Sequence, residues 1–489
     1  MGTHSPIYPT NPSVVVVGAG MSGICIAIKL RAAGVHDVTI LEKGSDYGGT
    51  WRDNTYPGLT CDVPATFYAY RFAPNPDWSH QFAPGGEIHA YLRGVAQSHG
   101  LTAVTRFGEE VVEGTYACDG WTLRTASGAT YRADVVIAAT GVLHRPAIPD
   151  LPGLGDFAGR VFHSAHWDHD LDVESARIAV IGSGSTGTQI VSALAGAAPR
   201  VLHFQRTPQW MVPMPNRRHS WLVRRLRRLW PALSAASYRA NQATMDWFFT
   251  GLIVPGWRRR ATALACRANL RRVRDPALRR RLTPDYDAGC KRLVMSWDYY
   301  DAVQRPDVEL VDEAIERVER EGIRTADGRL HELDAIVLAT GFDAHAYMRP
   351  MRLQGEHTTL DRAWRGGPRA YLSLAIPGFP NLFLLMGPHS PIGNTSLFPI
   401  AEAQADAIVR LVRRIADGEV LTVAAREEAT AAFEREIAGS LDGTVWTTGC
   451  DSWYLADDGV PRLWPFPPRR FYAELRALPD EALVLNRGE

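Results

Sequence analysis

The chain has 489 residues, 46% of them apolar and 22% charged, with as many acidic as basic side chains. That length exceeds one ordinary core and predicts two or three domains of a soluble globular enzyme. A net charge of zero excludes a partner chosen by overall electrostatics.

The N-terminus, MGTHSPIYPTNP, is polar and broken by prolines, so it does not read as a signal peptide. Pro6 stands where a myristoylated Gly2 would need Ser or Thr. Ser13 to Val17 is a β-branched run that predicts a buried parallel strand. Gly18-Ala-Gly20-Met-Ser-Gly23 follows at once, then a helix from Ile24 to Ala33 closed by Gly34, then a strand from Val38 to Leu41 ending in Glu42. Strand, glycine turn, helix, strand and acid, in that order and spacing, form the dinucleotide-binding fingerprint. The first glycine makes the turn, the second lets a pyrophosphate approach the backbone, and the third lets helix pack on strand.

The pattern recurs. Arg177 to Ile181 is a strand, Gly182-Ser-Gly184-Ser-Thr-Gly187 the turn, Thr188 to Leu194 a helix, and Val201 to Gln205 a strand ending in Arg206. Glu42 can accept from ribose hydroxyls, whereas Arg206 donates and suits a 2′-phosphate. The first site is therefore assigned to FAD and the second to NADPH. The strands VVIAATG (135–141) and IVLATGF (336–342) each follow one fingerprint and end in Thr-Gly.

Between the two halves of the second unit, Asn216 to Thr283 reads as helical. From Arg217 to Arg281 it is crowded with arginine and has two acids, Asp246 and Asp275. Without a nucleic-acid motif this predicts a solvated basic face, or one paired with acids from elsewhere. Its most apolar stretch, Trp247 to Trp257, is short and contains Pro255, so no membrane span is expected. The chain is expected to return to the first domain after 342, around Met386-Gly-Pro-His389, with a further helix over 401–415.

Six cysteines, at 25, 61, 118, 266, 290 and 450, form no C-x-x-C pair. Neither a dithiol centre nor a metal site is predicted, and a reducing cytoplasm is the inferred setting.

At this point the chain resembles the Baeyer–Villiger monooxygenases. FAGRVFHSAHWD, Phe157 to Asp168, fits F-x-G-x-x-x-H-x-x-x-W-[P/D], and GGTWRDNTYPGLTCD, Gly48 to Asp62, fits [A/G]-G-x-W-x-x-x-x-[F/Y]-P-[G/M]-x-x-x-D. LATGFDA (338–344) and DSWY (451–454) extend the likeness over nearly the whole chain. The Trp167-Asp168 ending separates it from the related N- and S-oxygenating flavoproteins, which remain the alternative. A flavin-binding redox sensor, docking through 217–281, is a third reading.

The resemblance implies an α/β protein with two Rossmann-like domains and a helical insertion. The FAD domain is expected over 1–145 and 343–489, the NADP domain over 146–215 and 284–342, and the insertion over 216–283. It implies that NADPH reduces FAD and that a C4a-peroxyflavin converts a ketone to an ester or lactone, with O2 and the ketone as partners. Arg292, in Gly289-Cys-Lys291-Arg292, is the implied catalytic cation and Asp62 its partner. Gly18, Gly20, Gly23, Glu42, Gly49, Thr50, Trp51 and Asp62 are expected around the flavin dinucleotide. Gly182, Gly184, Thr186, Gly187, Gln189, Arg206, Thr207, Lys291 and Trp453 are expected around NADPH. His163 and Trp167 are expected to couple the domains rather than touch substrate, and His163, His166 and His389 read as structural histidines. The aromatic residues around 210–257 and 445–466 are expected to line a pocket for a bulky ketone. His345 receives no role.

Overall fold

Four consecutive valines offer no polar face, and Val14–Val17 (β1) is buried throughout, in the middle of a sheet. The computed structural model describes residues 11–118, 120–393, 395–450, 452–456 and 459–487. The first ten residues, read above for signals and acylation, and Asp451 of the DSWY stretch lie outside them. After β1 come α1 (Met21–Ala32), β2 (Val38–Glu42), β3 (Thr105–Phe107), β4 (Val135–Ala138) and β5 (Arg160–His163). Then follow β6 (Arg177–Ile181), α2 (Ser185–Leu194) and β7 (Arg200–Phe204). Four helices intervene: α3 (Trp221–Leu229), α4 (Pro231–Ile253), α5 (Trp257–Leu270) and α6 (Pro276–Arg281). β8 (Val308–Val311), β9 (Ala335–Leu338), β10 (Leu382–Leu384) and α7 (Leu397–Ala416) follow in chain order.

Two five-stranded sheets result, β10-β4-β1-β2-β3 and β8-β7-β6-β9-β5, and every pairing in both is parallel. In each, the strand before the glycine turn lies centrally, so the chain leaves it in both directions and opens a crevice at the strand ends. β10 reaches the first sheet only after the second is complete in sequence. Both helices start earlier than predicted, at Met21 and Ser185, because Gly20 and Gly184 already act as N-caps. Apolar periodicity marks the face of a helix, not its first turn.

The two glycine turns are built alike. A Cβ on Gly23 would fall on the carbonyl oxygen of Gly18, and one on Gly187 on that of Gly182. Each would also sit 3.5 Å from the Cβ of Ala139 or Ala339, the alanines before the two Thr-Gly endings. The chain crosses between the two sheets at those endings. Ala147 N–H donates to Gly341 O at 2.9 Å, and Asp343 N–H to Arg145 O at 2.9 Å, joining the crossings as a short ribbon. His163 is 4% exposed and braces it, its Nε2 donating to Gly341 O at 3.0 Å while Nδ1 accepts from Ala165 N–H. Among the described residues no helix is long and apolar enough to cross a membrane.

Candidate active site

Arg292 and Asp62 are 230 positions apart in sequence. The guanidinium donates through Nε and Nη2 to Asp62 Oδ2, at 3.2 and 2.7 Å. The side chains are 32% and 19% exposed, so the pair is sheltered yet open on one side. The Asp62 carboxylate holds the Arg292 pKa above its ordinary value, against the opposing effect of burial. The cation is therefore permanent. The Tyr454 hydroxyl faces the same guanidinium; burial pushes its pKa up to about 12, against the lowering effect of that cation. These three side chains, with Phe249, Leu252, Ile253, Val445 and Trp446, line a narrow cleft.

The aromatic stretches expected to line this space do so only in part. Phe249 on α4 and Trp446 face it. Trp221, Trp230, Trp247 and Trp257 instead point to the exterior, 52–68% exposed. Tryptophan density does not say which face of a helix carries the rings.

The absence of a C-x-x-C spacing did not exclude a pair between distant cysteines. Cys290 and Cys450 form a disulfide, with Cα atoms 6.1 Å apart across 160 positions. Spacing rules detect only local pairs, and the fold brings this one together beside Lys291 and Arg292. The chain that follows Cys450 is held a second time. His345 Nε2 lies 3.1 Å from the carbonyl oxygens of both Trp453 and Leu455, which gives that histidine a role no motif indicated. Trp453 itself is 39% exposed, its ring 4.6 Å from that of Tyr454. Lys291 Nζ stands 5.2 Å over the Tyr286 ring, whose hydroxyl donates to Pro208 O at 2.9 Å. Lys291 is thereby brought to the segment that continues from Arg206 and Thr207.

At the first glycine turn, Glu42 is 4% exposed. Its Oε2 accepts from Ala19 N–H at 2.7 Å, and Oε1 from Gly44 N–H at 2.8 Å and Arg52 Nη1 at 2.7 Å. Arg52 was not foreseen; one carboxylate oxygen retains capacity for a further donor. A Cβ on Gly49 would lie 3.2 Å from Gly20 Cα, so the 48–49 turn closes over the first loop. Thr50 opens the helical turn Thr50–Asp53. Trp51 Nε1 donates to Tyr68 Oη at 3.2 Å, with the rings edge-to-face.

The structure fits two dinucleotides at a specific place. Both α1 and α2 begin on glycine, with no side-chain cap and no acid in the first turn. Their first amides stay available to an anion, and the helix dipole favours one there. A Cβ at Gly184 would meet nothing within 4 Å, which leaves space for a pyrophosphate.

A further contact between the two units runs through α2. Gln189 on α2 accepts from Tyr56 Oη at 3.1 Å and donates to Thr60 O at 3.0 Å. Tyr56 also lies 3.4 Å from Thr186 Oγ1. A Cβ on Gly58, where φ is +79°, would stand 2.8 Å from Gln189 O, so the Pro57-Gly58 turn is where α2 seats. Thr186 and Gln189 were expected at a cofactor; their contacts with Tyr56 and Thr60 were not.

His203 lies under the second glycine turn, fully buried, with Nε2 donating to Gly182 O at 3.0 Å and Nδ1 2.8 Å from Tyr299 Oη. Burial lowers its pKa from 6.5 to about 4. The unfolded chain takes up this proton near pH 6.5 and the folded one does not, so stability is full above that pH. It should fall as pH drops from about 6.5 to about 4, by about 3 kcal/mol for this residue. Unfolding midpoints across that window test this; a midpoint independent of pH there would refute it.

Comparison with known proteins places the chain. Residues 12–229 match the family described as pyridine nucleotide-disulphide oxidoreductase. An uncharacterized monooxygenase of Mycobacterium tuberculosis is 53% identical over 97% of this chain and 96% of its own. A Baeyer–Villiger monooxygenase of Streptomyces coelicolor is 36% identical over 97% of this chain and 93% of its own. The solved structure of OTEMO in complex with FAD and NADP is 26% identical, with a TM-score of 0.87 over 97% of this chain and 99% of its own. The chain belongs to the Baeyer–Villiger monooxygenases. It is a flavoprotein oxidoreductase of α/β fold that incorporates oxygen into its substrate.

Proposed function

We propose that Arg292 and Asp62 form the centre at which this enzyme, with FAD and NADPH, turns a ketone into an ester or lactone. The observation that carries this is a permanent cation, held by one carboxylate, at the wall of a largely apolar space. Bound FAD, reduced by NADPH, supplies the electrons and the activation of O2. The protein positions the reactants and stabilises charge. Arg292 donates to the oxygen on which negative charge develops, in a site that needs no reorganisation. Asp62 aims the guanidinium and offsets the cost of sheltering it from water. Phe249, Leu252, Ile253 and Trp446 hold the apolar part of the ketone and keep water out.

In this reading Gly18, Gly20, Gly23, Glu42, Gly49, Thr50 and Trp51 hold FAD, with Asp62 beside it. Gly182, Gly184, Thr186, Gly187, Gln189, Thr207 and Trp453 hold NADPH, with Arg206 and Lys291 on its 2′-phosphate. The FAD domain takes 1–145 and 343–489, which is supported by β10 completing the first sheet. The NADP domain takes 146–215 and 284–342, and the helical insertion 216–283. The reading includes a cytoplasmic location, where NADPH is regenerated, which requires the Cys290–Cys450 bond to persist against cytosolic thiols.

Replacing Lys291 or Arg206 by alanine is expected to raise KM for NADPH about 10- to 100-fold through loss of a charged hydrogen bond. KM for NADH should hardly change, since NADH lacks the phosphate. Equal effects on both nucleotides would remove the two residues from the phosphate.

The direct test is incubation of the holoenzyme with NADPH, 18O2 and a panel of ketones and thioethers. One 18O in an ester or lactone supports the assignment. Sulfoxide from thioethers, with no ketone converted, would replace it with heteroatom oxygenation.

A further inference from the structure

The helical insertion sorts its side chains in an unusual way. Residues 217–281 contain seventeen arginines and two acids, a net charge of +15 on a chain whose total is zero. Four arginines pair with acids from outside the insertion: Arg228 with Asp77, Arg259 with Asp287, Arg272 with Asp301 and Arg281 with Asp312. Arg225, Arg260 and Arg271 form no ion pair among the described residues. The expected basic face is therefore only partly neutralised.

The same surface is apolar. Of sixteen exposed large hydrophobic side chains among the described residues, ten lie between Trp221 and Leu264. Leu233, Ala236, Ala240, Ala243 and Trp247 recur at helical spacing along α4 and are exposed, forming one outward stripe. Trp257, Ala261, Leu264 and Ala268 do the same along α5, with Arg260 and Arg271 beside them. The stripes meet where the Trp247 and Trp257 rings lie 5.8 Å apart and the Arg258 guanidinium sits 5.4 Å over Trp247.

We propose that the outer face of α3, α4 and α5 docks this enzyme on an anionic lipid bilayer. Arginine with exposed tryptophan and leucine on helices that do not span is the composition of an interfacial surface. Tryptophan seats at headgroup depth, and arginine reaches phosphate while its stem lies on apolar surface. Two other occupants fit less well. A second copy of the face would set two arginine-rich surfaces against each other, and a nucleic acid would leave the leucines and alanines without partners. Docking would bring the outer stripe of α4 against lipid, while Phe249, Leu252 and Ile253 on the same helix line the space beside Arg292.

The test is flotation of the yellow holoenzyme with mixed phosphatidylcholine–phosphatidylglycerol vesicles, with pure phosphatidylcholine vesicles as comparison. Binding to the mixed vesicles is expected, weakened by salt. Trp247→Ser with Trp257→Ser, and separately Arg225→Gln with Arg260→Gln and Arg271→Gln, should each weaken it by about tenfold or more. Both variants should keep flavin absorbance and NADPH oxidation, which shows them folded. The idea is overturned by absence of flotation with the mixed vesicles, by unchanged flotation of the arginine variant, or by capture of a DNA duplex in place of vesicles. None of these outcomes depends on which substrate is oxygenated.

Discussion

Replacing Arg292 by alanine is expected to lower ester formation about 100- to 1000-fold, equivalent to roughly 3–4 kcal/mol in the barrier. Reduction of the flavin by NADPH should stay close to its normal rate, because that step asks nothing of a cation at the substrate. NADPH would then be consumed with hydrogen peroxide as the product. Stopped-flow absorbance of the flavin and product analysis separate the two steps. Arg292→Lys should recover only part of the loss, since the ammonium lacks the planar fork that reaches Asp62 through Nε and Nη2 together. Asp62→Ala should cost nearly as much, by leaving a sheltered guanidinium without its counter-charge. Normal ester yield from Arg292→Ala would end the assignment, as would loss of flavin reduction and oxygenation together, which would mark a structural residue.

Removal of the Cys290–Cys450 disulfide should have the second-largest effect. The bond closes a loop of 160 positions, for which chain entropy alone gives about 5 kcal/mol. Cys450→Ser is expected to lower the unfolding midpoint and expose the segment near Trp446–Tyr454 to proteolysis. Activity should fall with it, because Tyr454 lines the same space as Arg292 and sits four residues from Cys450. His345 would still hold the carbonyls of Trp453 and Leu455. A reductant should reproduce these effects in the wild-type enzyme and do nothing further to Cys450→Ser. Unchanged stability, proteolysis and turnover in that variant would make the bond incidental.

Both glycine turns, their flanking strands and the doubled Thr-Gly endings are legible in the sequence because each is a local pattern with a local cause. Gly23 must be glycine because Gly18 O occupies the place of its Cβ. The pairing of Asp62 with Arg292 follows from no spacing and entered through resemblance. What stayed hidden depends on contacts between distant segments. Nothing near Cys290 announces Cys450. Gln189 looks like a residue of its own glycine turn, yet it meets Tyr56 and Thr60 from the other unit. Arg52 reads as a surface residue until the turn at 48–49 folds it onto Glu42. The tryptophans misled in the opposite direction: their number suggested a pocket, and their helical phase put four of them on the exterior.

The nesting of one unit inside the other also sets an order in time. Every strand of the second sheet lies between Arg160 and Leu338, so that sheet can close once this stretch has left the ribosome. The first sheet, although it begins at Val14, lacks its edge strand until Leu382–Leu384 is made, and α1 gains its partner α7 later still. The earliest-synthesised glycine turn therefore waits longest for its surroundings, and the sheet that starts first in the sequence is the last whose strands are all made.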